Sequence, residues 1–210
     1  MTAAARHSLR DGAHQRLVFP RRIERLAGHI SPLLPHHATV LDCGCGDGAL
    51  AERLLGRRPD LEISGVDVLV RPECRIPVQG FDGRTLPYGD DSFDCALLVD
   101  VLHHSERPAE LLGEVARVAR QRVIVKDHLA DGLGARPTLR FMDRVGNARY
   151  GVALPFSYLT TAEWAHLIAA LGLVVEAWTE RLALYPPPLS WLFDRRLHFV
   201  AALRAAPDDS

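Results

Sequence analysis

The stretch Val40-Leu41-Asp42-Cys43-Gly44-Cys45-Gly46-Asp47-Gly48 constrains this chain more than any other. An apolar run of strand type reaches a carboxylate, passes three glycines at alternate positions and enters a helix-forming run from about Ala49 to Leu55. Glycine lacks a Cβ, reaches positive φ cheaply and lets the main chain approach a bound molecule closely. The following helix directs unpaired N–H groups and the positive end of its dipole toward the same place. Strand, turn and helix together form a site suited to a carboxylate or phosphate.

Gly44, Gly46 and Ala49 match the spacing of a dinucleotide-binding turn. Two details argue against a diphosphate: the Asp42 carboxylate would face it unfavourably, and Gly48 is a glycine that the dinucleotide pattern does not need. A cationic partner suits Asp42 better. S-adenosylmethionine offers an ammonium and a sulfonium to that carboxylate, and its own carboxylate to the helix N-terminus.

Three later segments keep a consistent order. Gly65-Val66-Asp67-Val68 ends a second apolar run, Asp82 precedes Gly83-Arg84-Thr85-Leu86-Pro87-Tyr88, and the run Ser92–Asp100 leads into Val101-Leu102-His103-His104. With Val40–Gly48, these segments resemble class I S-adenosylmethionine-dependent methyltransferases, nearest to the small-molecule branch that includes quinone-ring C-methylating enzymes. The resemblance implies that Asp67 accepts from the ribose hydroxyls, two donors matching one carboxylate's acceptor oxygens. It implies that Asp82 accepts from the adenine amino group, with Val68 against the ring. Asp42, Gly44, Cys45, Gly46, Gly83, Val99 and Asp100 are the remaining cofactor-binding candidates. The implied fold is α/β, a Rossmann-like doubly wound sheet of seven mostly parallel strands in the order 3-2-1-4-5-7-6. In it the last strand runs antiparallel, helices cover both faces and a helical cap insertion follows strand 5.

A chain of 210 residues, 48% hydrophobic and 24% charged, can bury a sizeable core as one domain. The expected division is one catalytic domain over 1–210, opened by a helical segment at 1–36 and carrying an insertion at 128–160. A net charge of −1 gives no electrostatic argument for nucleic acid or an anionic membrane. Cys43, Cys45, Cys74 and Cys95 include no second pair at zinc-ligand spacing, and clustered carboxylates of the metal-dependent catechol type are not evident, so no metal is expected. No secretory signal or membrane span is apparent, and the expectation is a cytoplasmic protein of unassigned oligomeric state.

Apolar spacing predicts a leading helix over 17–30 whose Arg21, Arg22 and Arg25 form a solvated face, with reach to a methionine carboxylate as the other reading. Strands are predicted at Thr39–Cys43, Glu62–Asp67, Ile76–Gly80, Phe93–Val99, Arg122–Lys126, Leu173–Thr179 and Leu197–Leu203, and helices at 49–56, 107–119, 136–145 and 160–171, the last capped by Thr161. Asp90, Asp91 and Asp94 read as a solvated acidic turn, and the proline run 186–188 as a stiff, extended connector. Ligands in such sheets lie beyond the strands' carboxyl ends. The insertion, with Phe141, Met142, Tyr150, Phe156 and Tyr158, leaves that same rim and is expected to roof a pocket for a largely apolar organic acceptor or to pack on the domain.

His104 and His128 are the candidate proton acceptors, His103 a further one, because histidine titrates near neutrality and all three sit at the rim. Tyr150, Asn147 and Asp127 are candidates to orient an acceptor. The expected activity is methyl transfer from S-adenosylmethionine to a small organic molecule. The alternatives are a protein that binds this donor without transfer, and a nicotinamide oxidoreductase.

Overall fold

A computed structural model describes residues 18–147 and 155–206. The first helix, α1 (Phe19–Ile30), has Pro20 at its first turn and buries Leu26, Ala27 and Ile30. Then come β1 (Thr39–Cys43), α2 (Ala49–Arg57), β2 (Glu62–Asp67) and β3 (Val78–Gly80). The second half of the sheet is β4 (Phe93–Val99), α3 (Pro108–Val118) and β5 (Ala119–His128). After α4 (Ala135–Asn147) and α5 (Thr161–Ala170), the chain closes with β6 (Leu173–Thr179), the short α6 (Ser190–Phe193) and β7 (His198–Ala205).

The seven strands form one sheet in the order β3-β2-β1-β4-β5-β7-β6. β1 is flanked in parallel by β2 and β4, and β7 runs antiparallel to both β5 and β6. Strands covered on both faces must be apolar throughout, and Cys95, Ala96, Leu97 and Leu98 of β4 are all fully buried. One core cluster joins α1 and α2 to one face through Leu26, Ile30, Val40, Leu54 and Leu97. The other joins α3 and α5 to the opposite face through Leu41, Leu112, Val115, Trp164 and Phe199. The sheet, its order and its antiparallel strand thus agree with the expectation.

Several local expectations are corrected. Asp94 is not solvated: its Oδ2 accepts from both the Thr39 amide and hydroxyl at 2.9 Å, which stitches the start of β1 to β4. Asp90, although paired with Arg117 at 2.7 Å, is exposed, and so is Asp91, as expected of that turn. The cap of α5 is Thr160 and not Thr161. Its hydroxyl accepts from the Glu163 amide while Glu163 accepts from the Thr160 amide, a reciprocal capping box. Thr161 instead donates from its amide and hydroxyl to Asp131. β3 starts two residues later than Ile76, which is buried and packs under the glycine turn. β5 is longer than expected at both ends: Ala119 pairs with Phe93 of β4 at its start, and β7 pairs with it as far as His128↔His198 at its end. The proline run is not extended throughout: residues 187–189 form a turn that leads into α6. Leu17 and Tyr150, and the side chain of Asn147, lie outside the described residues.

Thr160→Ala removes the side-chain half of the capping box, and a loss of about 1 kcal/mol is expected. A urea midpoint shifted at unchanged slope is the check.

Candidate active site

The carboxyl ends of four parallel strands bring titratable groups to one rim: Asp42 on β1, Asp67 on β2, Asp100 just beyond β4, and Asp127 and His128 on β5. After β1 the chain turns through left-handed glycines. Gly44 has φ +77° and a Cβ there would lie 2.5 Å from Val101 Cγ2; Gly48 has φ +76° and a Cβ would lie 2.7 Å from Ile76 Cγ1. Any side chain at these two positions is excluded by both backbone strain and contact. The turn is tied to β2 because Gly46 N–H donates to Asp67 Oδ2 at 2.8 Å and Gly44 N–H to the Val66 carbonyl at 2.7 Å. Cys45 packs its sulfur over Gly65, where a Cβ would lie 2.4 Å from Sγ.

Two adjoining cavities open along this rim. One of ≈ 630 Å³ is lined by Asp67, Val68, Phe81, Asp82, Gly83 and Val101. The other, ≈ 410 Å³, is lined by Asp42, Cys45, Val99, His103, His128 and Met142, among others. Gly44, Gly46, Arg71, Asp100 and His104 line both. All ten cofactor-binding candidates and both candidate catalytic histidines therefore border one continuous cleft. Val68 is 63% exposed, a free apolar surface at the cavity wall. Asp82 accepts from the Arg84 and Thr85 amides at 2.8 Å, which shapes its own loop and holds its carboxyl below the usual range.

Asp42 is 2% exposed, and among the described residues no cation pairs with it. Burial, with the nearby Asp67 charge, pushes its carboxyl up to about 7. A buried carboxylate with no protein cation fits a ligand ammonium. The left-handed turn and helix N-terminus fit the carboxylate at the other end of an amino-acid moiety. The residues present therefore fit S-adenosylmethionine.

Asp100 has the opposite environment. It receives Lys126 on Oδ1 and Arg22 on Oδ2, the latter at 2.6 Å, and these cations overcome burial to hold its carboxyl well below the usual range. Lys126, the only lysine in the sequence, is fully buried. Arg22 is thus no part of a solvated helix face: it ties α1 to the rim. Arg21 donates to the Ala183 carbonyl, while Arg25 is exposed.

The floor of the second cavity is a histidine cluster. His103 Nδ1 meets Asp127 Oδ1 at 2.6 Å; burial lowers its basicity, but the Asp127 charge and hydrogen bond outweigh this and raise it. Asp127, a candidate to orient an acceptor or simply to end a strand, lies at the end of β5 with its carboxylate on His103 and is 1% exposed. His104 is pulled down to about 4 by burial and by His103, and among the described residues its buried Nδ1 has no hydrogen-bond partner. His128 is also lowered, by burial, His103 and Lys126. Nothing in the sequence marked Asp143 or His198 as members of this cluster. Asp143, on α4, lies 3.5 Å from His103 Nε2 and 3.6 Å from His128 Nε2 and accepts from the Tyr158 hydroxyl. His198 faces His128 across the β5–β7 pair. That position was legible only once the register was known.

A Rossmann-like sheet with a carboxylate-flanked glycine turn and a cleft at the strand ends defines a nucleoside-binding α/β protein. The methyltransferase domain model matches residues 12–177, and the chain belongs to this family, the class I S-adenosylmethionine-dependent methyltransferases. The sequence is 29% identical over 126 residues to "O-methyltransferase cnsE" of Penicillium expansum, covering 52% of this chain and 45% of that protein. It is 28% identical over 111 residues to "27-O-demethylrifamycin SV methyltransferase" of Amycolatopsis mediterranei (strain S699), covering 46% and 40%. The matched stretch thus spans less than half the length of either relative. The fold is similar to that of a 1,6-didemethyltoxoflavin-N1-methyltransferase of Burkholderia thailandensis, solved with 1,6-didemethyltoxoflavin and S-adenosylhomocysteine. The TM-score is 0.65 at 21% identity, over 89% of this chain and 79% of that one. No described helix is long and apolar enough to cross a membrane.

The raised carboxyl of Asp42 sets a pH dependence. Between about 4 and 7 the folded state binds the extra proton, so its stability falls as pH rises through that window. Asp42→Asn is expected to flatten this slope and to stabilise the unliganded protein at pH 8 by on the order of 2 kcal/mol. Thermal melts of both proteins from pH 4 to 8 give the comparison.

Proposed function

We propose that this protein transfers a methyl group from S-adenosylmethionine to a small organic acceptor bound beside the histidine cluster. The observation that carries the proposal is the pairing of two cavities at Gly44, Gly46, Asp100 and His104. The larger, with Asp67, Val68, Asp82 and Gly83, suits the adenosine half, and Asp42 suits the ammonium. Bound there, the donor supplies an activated methyl group, so the protein contributes chiefly alignment and exclusion of water.

The acceptor would then lie in the smaller cavity, under α4. Met142 and Val145 give that cavity an apolar side, and His103, His104, His128 and Asp143 a polar one. An acceptor with an apolar body and an ionisable hydroxyl or ring nitrogen matches both. His104 is the group to take its proton: burial and His103 keep it neutral near pH 7, and it lines both cavities. His128 is the second candidate, with its Nε2 turned toward the same space. Asp100, held by Lys126 and Arg22, keeps the rim in place between donor and acceptor.

Calorimetry with S-adenosylmethionine should show one site, while NAD should produce no heat. Asp67→Ala is expected to weaken that binding at least tenfold, because the sugar hydroxyls lose their acceptor. Unchanged affinity would remove Asp67 from the site. With a methylated metabolite identified by mass spectrometry of expressing cells, His104→Gln should lower kcat ten- to a thousandfold with KM little changed. Donor binding without any methylated product would favour the non-transferring alternative.

A further inference from the structure

Helix α4 presents apolar side chains to solvent as well as to the core. Its inner face carries Ala135, Leu139 and Asp143, buried at four-residue spacing. Pro137, Phe141 and Val145 recur at the same spacing and are all exposed, Phe141 by 55%. Residues four apart share a helix face, so these three form one apolar stripe. Arg136, Arg140 and Arg144, one position earlier in each turn, make a parallel row beside it and are exposed as well. A surface helix ordinarily turns a polar face outward; this one turns out an apolar stripe bordered by cations.

Helix α6 extends the stripe. The Phe141 and Phe193 rings stack at 6.3 Å and 13°, which sets α6 beside α4. On α6 Trp191 is 76% exposed, Leu192 is exposed too, and Arg195 follows one turn after Trp191. The net charge of −1 for the whole chain conceals a local excess here. Along 135–146 and 189–196 every exposed charged residue is an arginine. Of the two acids in these segments, Asp143 is buried, and Asp194 is half-buried and accepts from the Leu184 and Tyr185 amides. Glu163 lies 3.9 Å from Arg136 and Glu180 pairs with Arg196, but among the described residues no carboxylate pairs with Arg140, Arg144 or Arg195. The Arg140 and Arg144 guanidiniums stand 5.6 and 5.7 Å over the Phe156 ring, which holds both beside the stripe.

We propose that the face made by α4 and α6 docks on the surface of a bilayer that contains anionic phospholipid. Phe141, Val145, Trp191 and Leu192 enter the boundary between headgroups and acyl chains, where aromatic and leucine side chains of an amphipathic element are stable. Arg140, Arg144 and Arg195 pair with headgroup phosphates. Charge separates this occupant from a second copy of the chain: a two-fold dimer lays one patch against itself and sets arginine row against arginine row, whereas the lipid surface brings the opposite sign. No described helix is long and apolar enough to cross a membrane, so the docking is peripheral. Val145 also lines the smaller cavity, which therefore borders the docked face. The inference does not depend on methyl transfer.

The test is sedimentation of the full chain with vesicles. Expected is binding to mixed phosphatidylglycerol and phosphatidylcholine vesicles that weakens as salt rises, with a blue shift of tryptophan fluorescence that Trp191→Phe abolishes. Trp191→Ala, and Arg140→Gln combined with Arg144→Gln, should each weaken binding at least tenfold with circular dichroism unchanged. Arg120→Gln, at an exposed arginine near the start of β5 and remote from α4, should leave it unchanged. The wild type alone, compared on mixed and on pure phosphatidylcholine vesicles, needs no variant to fold. Failure to sediment with the mixed vesicles would overturn the proposal, as would equal binding to pure phosphatidylcholine. Dimerisation that Trp191→Ala abolishes, without vesicle binding, would assign the face to a second copy instead.

Discussion

The ion pairs of Asp100 hold the cleft in its shape. Lys126 comes from β5 and Arg22 from α1, so one carboxylate at the end of β4 joins the sheet to the helix laid over it. Asp100 also sits at φ +58°, a left-handed conformation uncommon for a residue with a side chain. Such strain persists where surrounding contacts over-determine it, and here two cations do so. A fully buried lysine without its carboxylate would leave an uncompensated charge, at a cost of about 3–5 kcal/mol. The contact therefore fixes the backbone at the point where the two cavities meet.

The architecture is legible because β1, β2 and β4 are largely apolar runs with an acid at or directly beside their carboxyl end. Thr39–Cys43, Glu62–Asp67 and Phe93–Val99 were bounded correctly from that signal, since strands buried on both faces leave no other residue choice. The misreadings occurred where a polar side chain has a distant partner. Asp94 reads as part of a solvated turn until Thr39 is placed beside it, and Arg22 as a solvated helix residue until Asp100 is placed above it. Thr160 and Thr161 are indistinguishable as caps in sequence. Only the reciprocal bonds with Glu163, and the donation of Thr161 to Asp131, separate them.

The candidate site divides in the same way. The half that binds through local motifs, Asp42 to Gly48, Asp67 and Asp82, was readable because turn and ligand contacts lie within a few residues of each strand end. The histidine half was readable only in part. His103, His104 and His128 stand at strand ends, but Asp143 arrives from α4 and His198 from β7. In β5, the alternation of side chains sets Lys126 and His128 on one face and Asp127 on the other. That alternation determines which of the two faces His198 joins, and register alone reveals it.

Charge along the rim follows a single rule with different local outcomes. Folding gathers Asp42, Asp67, Asp100 and Asp143 along one cleft, with Asp127 buried behind His103, and each buried carboxylate needs a cation or a donor. Asp100 is given two cations by the protein itself, Asp127 an imidazole, and Asp67 the Gly46 and Leu69 amides. Among the described residues Asp42 is given no cation, and burial beside Asp67 pushes its carboxyl up. Where the chain provides the counter-charge it builds structure; where it withholds one, at Asp42, the site is left to a molecule that brings its own. Asp100, neutralised by the chain's own Lys126 and Arg22, lines both cavities, so the boundary between them keeps its shape without a ligand, which is the preorganisation that alignment of two bound reactants requires.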